Sequence, residues 1–152
     1  MSIESQILAL LETALKAVLI ANGYQTDAGT SVFKDLEYQT APEASIWPCI
    51  IYFPGELQSG NEGDVPPSLG EQNNFLPIRL ESYITDDERG TAGQQVKEDL
   101  RKVITSLGYF DGLAELVQGY KSGTDVQPGS DGFWSSVYAD FVIFYVTPWG
   151  EI

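Results

Sequence analysis

Apolar residues at Ile3, Ile7, Leu10, Leu11, Ala14, Val18 and Ala21 recur at helical spacing, and Leu15 and Leu19 widen the stripe. This pattern predicts an N-terminal helix from a Ser2 cap to Ala21, with Glu4 well placed in its first turn. A stripe that wide has to be covered, and a sheet is the expected cover. Asn22 and Gly23 can adopt the left-handed conformation that ends a helix. Ser31, Val32 and Phe33 then read as a short strand. Residues 46–53 read as a better one, with Pro48 marking an edge or a bulge at its start. Residues 55–74 form a long polar connection rich in glycine, proline and acid, expected to be either a loose hairpin tip or an arm that contacts a partner.

Alternation returns at Leu76, Ile78, Leu80, Ser82 and Ile84, predicting a half-buried strand with these positions facing the core. Thr91 and Gln94 match a capping box for a second helix. Its apolar face is Val96, Leu100, Val103, Ile104 and Leu107, with Lys97, Arg101 and Lys102 opposite and Gly108 as the stop. A weaker strand is expected at about 115–120, with a glycine-rich continuation toward the turn at 128–132. Residues 133–147 form a strand apolar on both faces: Val137, Phe141, Ile143 and Tyr145 on one, Tyr138, Val142, Phe144 and Val146 on the other. Such a strand is either central in a covered sheet or part of an interface. The predicted order is α-β-β-α-β-β, with one extra short strand possible. The expected fold is α+β: a mainly antiparallel sheet of about four to five strands, two helices on one face, and one domain over residues 1–152.

Charge and composition then narrow the chemistry. The 152 residues include 22 acids against 8 bases, a net charge of −14. That balance argues against direct nucleic-acid binding, which depends on neutralising phosphates, and against anionic membranes. Residues 7–21 are too short and too polar to span a bilayer, and the first residues lack the basic region of a signal peptide. Histidine is absent and Cys49 is the lone cysteine, which removes the commonest general base and any cysteine metal cluster. Cys49, between Trp47 and two isoleucines, reads as a small buried hydrophobe. The acids at 86–88 fit a solvated turn better than a calcium loop. The glycines at 90 and 93 match neither phosphate-binding fingerprint. No catalytic residue, cofactor or metal is therefore expected.

One resemblance gives this arrangement a meaning. An N-terminal helix, then the stretch ANGYQTDAG at 21–29, then Pro48-Cys49-Ile50-Ile51 and Pro54-Gly55-Glu56, is similar to the tail terminator proteins of long-tailed bacteriophages. The likeness covers about the first third of the chain and thereafter lies in the order of elements. It implies a non-enzymatic virion protein of the tail or neck, assembled in the host cytoplasm as a homomeric ring, expected to be a hexamer. The ring would end the tail tube at its head-proximal end. The implied partners are other copies of the chain, the tail tube protein, the neck or connector protein, and a sheath terminator or sheath protein. The candidate interface residues are Trp47, Glu56, Glu62, Asp64, Asp86, Asp87, Arg89, Tyr138, Val142, Phe144 and Trp149. Two alternatives stay open: another head–tail joining protein, and an acidic DNA mimic that inhibits a DNA-binding protein. The scattered acids suit the mimic poorly, and the missing chemistry disfavours a small hydrolase or ligand-binding domain.

Overall fold

Ser2 caps the first helix as expected, its hydroxyl accepting the Ser5 amide hydrogen at 3.1 Å. In a computed structural model of the chain, which describes residues 2–35, 44–59 and 71–148, helix α1 runs Ile3–Lys16. It is shorter than the apolar pattern predicted. The chain leaves helical geometry at Ala17, and Leu19 is extended. Two tertiary hydrogen bonds hold the departure: Gly29 N–H donates to Val18 O at 2.9 Å, and Ile20 N–H to the Asp27 carboxylate at 2.8 Å. Gly29 is the residue that permits this approach, because a Cβ there would stand 2.4 Å from Leu15 O. Val18 still reaches the core, while Ile20 and Ala21 are left exposed. Gly23 is left-handed as read, but it closes a one-turn 3-10 helix, Ile20–Asn22, rather than α1.

Strand β1 is Val32–Lys34 and β2 is Cys49–Pro54. Pro48 lies just ahead of β2, joined to Trp47 by a cis peptide, and residues 44–46 form a 3-10 turn. The expected strand start at 46 is thus three residues early: proline has no N–H for a ladder. Nor is β2 an edge, since it pairs in parallel with β1 and antiparallel with β4, Glu71–Asp86.

The connection at 55–74 proves shorter than its composition implied. Gln58–Ser59 forms β3, paired with Asn74 and Phe75, and residues 71–74 already belong to β4. Strands β2 and β3 act as one strand interrupted at 55–57, where Gly55 N–H donates to Pro77 O at 2.7 Å. That irregularity accommodates Pro77 in mid-strand, because the side of β4 that lacks an N–H faces the interruption. The remainder of the expected arm, 60–70, falls outside the described residues.

Helix α2, Thr91–Leu107, crosses behind the sheet, and Gly108 follows it as expected. Strand β5, Leu116–Gly129, and strand β6, Gly132–Pro148, form a long hairpin. Here the prediction at 115–120 was too short. Its glycine-rich continuation is strand, kept in the sheet by pairing with β6 and relieved by an irregularity between Gln118 and Lys121. The strand order is β1-β2-β4-β6-β5, with β3 beside β4; among the described strands the β1–β2 pair is parallel and the other pairs are antiparallel. The fold is thus α+β, with a mixed, mostly antiparallel sheet and both helices packed against it. One core unites Ile7, Leu11 and Leu15 of α1 and Val96, Leu100 and Val103 of α2 with the sheet. The sheet contributes Leu76, Ile78 and Leu80 from β4 and Phe141, Ile143 and Tyr145 from β6, as alternation predicted.

Candidate functional site

Because both helices take one face of the sheet, alternation sends the other residues of β4 and β6 to a helix-free face. Register brings them into three zones. At one end Phe75 stands opposite Phe144, with ring centroids 5.1 Å apart, and Pro77 opposite Val142. At the centre Arg79 faces Asp140 at 3.2 Å, and its guanidinium lies 4.7 Å from the centroid of the Tyr138 ring. Lys121 of β5 pairs across from Asp140 on the far side. At the other end Trp47, Tyr83 and Trp134 pack together, with centroids 5.6–6.3 Å apart. Burial raises the Tyr83 phenol above its ordinary pKa, with Glu81 adding to the effect. Tyr138, Val142, Phe144 and Val146 are all half-buried and stand outside the core that the two described helices share with the sheet.

Cys49 and Ile51 share this face but are buried. Burial pushes the Cys49 thiol up to about 11, against the smaller opposing effect of a hydrogen bond with the Tyr83 backbone. A neutral, inaccessible thiol is a packing residue, not a nucleophile.

The acids at 86 and 87 have a different location and a structural task. Asp86 accepts the amides of Ala92 (2.9 Å) and Gly93 (2.8 Å) and the Ser135 hydroxyl. Asp87 accepts the Thr91 amide at 3.1 Å. Together they satisfy the first turn of α2. The expected capping box is therefore replaced: Gly90 is the N-cap with no side-chain bond, Thr91 is already helical, and Gln94 reaches Glu98 instead. Burial works to raise the Asp86 carboxyl, but the Ser135 hydroxyl and the amides of Gly93, Ala92 and Asp87 outweigh it and hold it below the usual range. Thr91, through its amide and hydroxyl, likewise lowers Asp87.

The candidate interface residues thus divide. Trp47, Tyr138, Val142 and Phe144 share the helix-free face; Asp86, Asp87 and exposed Arg89 gather at the start of α2; Glu56 is exposed beside β3. Glu62, Asp64 and Trp149 lie outside the described residues. Sequence reading passed over the Arg79–Asp140–Lys121 line. Each residue looks like an ordinary outward charge until strand register sets them side by side.

It also missed Asp99, an acid on the apolar face of α2, buried and accepting from Gln25 N–H, Thr26 N–H and Thr26 Oγ1 at 2.7–3.2 Å. This carboxylate ties the 21–29 stretch to α2. Lys102 does the same from outside, donating to Gly23 O at 2.8 Å and lying 4.7 Å from the centroid of the Tyr24 ring. Among the described residues no group of acids, cysteines or histidines is placed to hold a metal, and no helix is long and apolar enough to cross a membrane.

No protein-family profile matches the chain, and no curated protein matches its sequence.

Proposed function

We propose that the chain is a structural virion protein of the tail-terminator type. It assembles as a homomeric ring, hexameric by the resemblance, on the head-proximal end of a phage tail tube. One face of the ring would match the tube end, while the other would offer no tube-like surface, so growth stops there and the neck docks. Sheath components are further expected neighbours. The observation that carries this reading is the helix-free sheet face with its half-buried row of Tyr138, Val142 and Phe144, a surface suited to protein contact. The resemblance of the first third supplies the kind of assembly. The absence of histidine from the sequence gives catalysis little support, and the charge of −14 suits a ring past which DNA slides without adhering.

Light scattering on a sizing column, followed by negative-stain imaging with purified tail tubes, tests the reading. A closed ring that seats on one tube end is the expected result. A monomer or dimer that ignores tubes overturns it, and tight salt-sensitive binding to a DNA-binding protein would favour the DNA-mimic alternative instead.

A further inference from the structure

The two edges of the sheet differ in length. The strand order leaves β1 at one edge with 3 residues and β5 at the other with 14. Among the described residues β5 pairs with β6 alone, so its outer side offers unpaired backbone N–H and C=O groups. Long edges of this kind are normally blunted by proline, a bulge or a lone charge. In β5 the irregularity is confined to the step between Gln118 and Lys121, and the proline is Pro128, near the far end. Between them, over residues 121–127, the register with β6 is unbroken.

The side chains of that stretch are arranged symmetrically about Gly123. Lys121 and Asp125 lie two residues to either side of it on the helix-free face, where register sets them beside Asp140 and Ser136 of β6. Both are exposed, and among the described residues neither takes part in an ion pair; Asp125 accepts from the Gln127 side-chain amide at 2.6 Å. On the helix side Ser122 and Thr124 flank the same glycine, and beyond them stand Tyr120 and Val126, both half-buried.

An antiparallel strand laid on this edge in two-fold register at Gly123 meets the same residues in reverse order. Each Lys121 then stands opposite Asp125 of the other copy, Ser122 opposite Thr124, and Tyr120 opposite Val126. Unlike charges meet twice, apolar side chains meet twice, and no like charges meet within the stretch. Glu115 and Asp131, which the same register would oppose, lie outside it. Of the other charges on the helix-free face, Asp140 is one strand inward and Arg79 and Glu81 are two. On the helix side Arg101, Glu98 and Arg89 line the edge with both signs. The edge lysine that would repel a chance strand is thus matched by an acid that a second copy of this chain supplies.

We infer that two copies of the chain pair edge to edge through β5, antiparallel, about a two-fold axis at Gly123, so that their sheets become one. Such a contact is closed and makes no ring. The pairing therefore goes beyond the tail reading and does not depend on it; a ring needs a second surface, for which the helix-free face stays the candidate.

Sedimentation velocity on the full chain over a concentration series tests the pairing. Asp125→Lys sets like charges opposite each other at both pairs, and is expected to weaken association about tenfold or more with circular dichroism unchanged. Lys121→Glu should do the same, and the two substitutions combined should restore association to within about threefold of wild type. Lys121→Glu also stands beside Asp140 in its own copy. Should it fail to fold, Lys121→Cys with Asp125→Cys, oxidised, should give a covalent dimer and no larger ladder. Residues 121 and 125 of one copy are about 13 Å apart along the strand and cannot bridge within it. The pairing is refuted by a monomeric wild type, by folded Asp125→Lys that associates within about twofold of wild type, by a combined variant no better than its parts, or by cysteines that give a ladder or no cross-link. Rings that cap tubes but ignore Asp125→Lys leave the tail reading standing and sink the pairing. Dimers that respond as expected but never cap a tube do the reverse.

Discussion

Asp99 shows how one residue can hold a segment that has little core of its own. Its buried carboxylate serves three donors on Gln25 and Thr26, and the two on Thr26 are buried with it. Asp99→Ala is expected to destabilise the protein by about 3 kcal/mol, because unsatisfied buried donors cost more than a hydrogen bond returns. Urea melts read this directly, and a loss below about 0.5 kcal/mol would mean that the donors find other partners. Asp86 is a second such residue, and its effect depends on pH. Its folded pKa is depressed, so its contribution is present above the unfolded value near 4 and is lost as pH falls through the lower folded value. Asp86→Asn should therefore cost about 1 kcal/mol at neutral pH, as a lost N-terminal cap does. The gap between variant and wild type should then close below about pH 4. A gap that stays constant down to pH 2 would show that the carboxylate charge contributes nothing.

At the scale of elements, periodicity carried most of the fold and failed where tertiary contacts override it. The alternation in β4 and β6 was legible because one face is buried and the other is not, and both helices were legible from their stripes. The end of α1 was not, because its cause is a remote pair of residues, Asp27 and Gly29, that capture the chain. The α2 cap was misread for a similar reason: two aspartates upstream of the helix outcompete a box that local spacing favours. Strand β5 was cut short because glycine and serine lower strand propensity, yet Gly123 is in the sheet for a steric reason. A Cβ there would stand 2.5 Å from Tyr138 Cε1. Gly123→Ala should force that ring off its place beneath Arg79 and cost about 1–3 kcal/mol, the usual range for overpacking. A variant with unchanged stability and unchanged tyrosine fluorescence would show that the ring moves freely. The candidate site was legible only as a row of apolar residues on one strand. Its charged centre depends on the register of β4 with β6, which residues 87–131 separate in sequence, and no local pattern fixes that register.

For the molecule as a whole the helices and the sheet alternation create an imbalance: among the described residues one face of the sheet is packed by both helices, and the outward row of β6 on the other face is half-buried. Val142 and Phe144 sit at its apolar end, and Phe144 packs on Phe75. If this face is where copies meet, an aspartate at either position places a charge into the contact while the free monomer can still hydrate it. If the face is instead internal, the same charge is buried without a partner and the fold fails, at a cost of several kcal/mol. Both positions are half-buried rather than buried, in contrast to Ile143 and Tyr145 between and beside them, which are wholly inaccessible. Val142→Asp and Phe144→Asp are therefore expected to remain folded and soluble, to melt within about 2 kcal/mol of wild type, and to run as smaller species in light scattering. Ile143→Asp, one residue away on the core face, should not fold. Collapse of all three variants alike would make the row part of the core, and retention of full-size assemblies by the first two would move the interface to another surface.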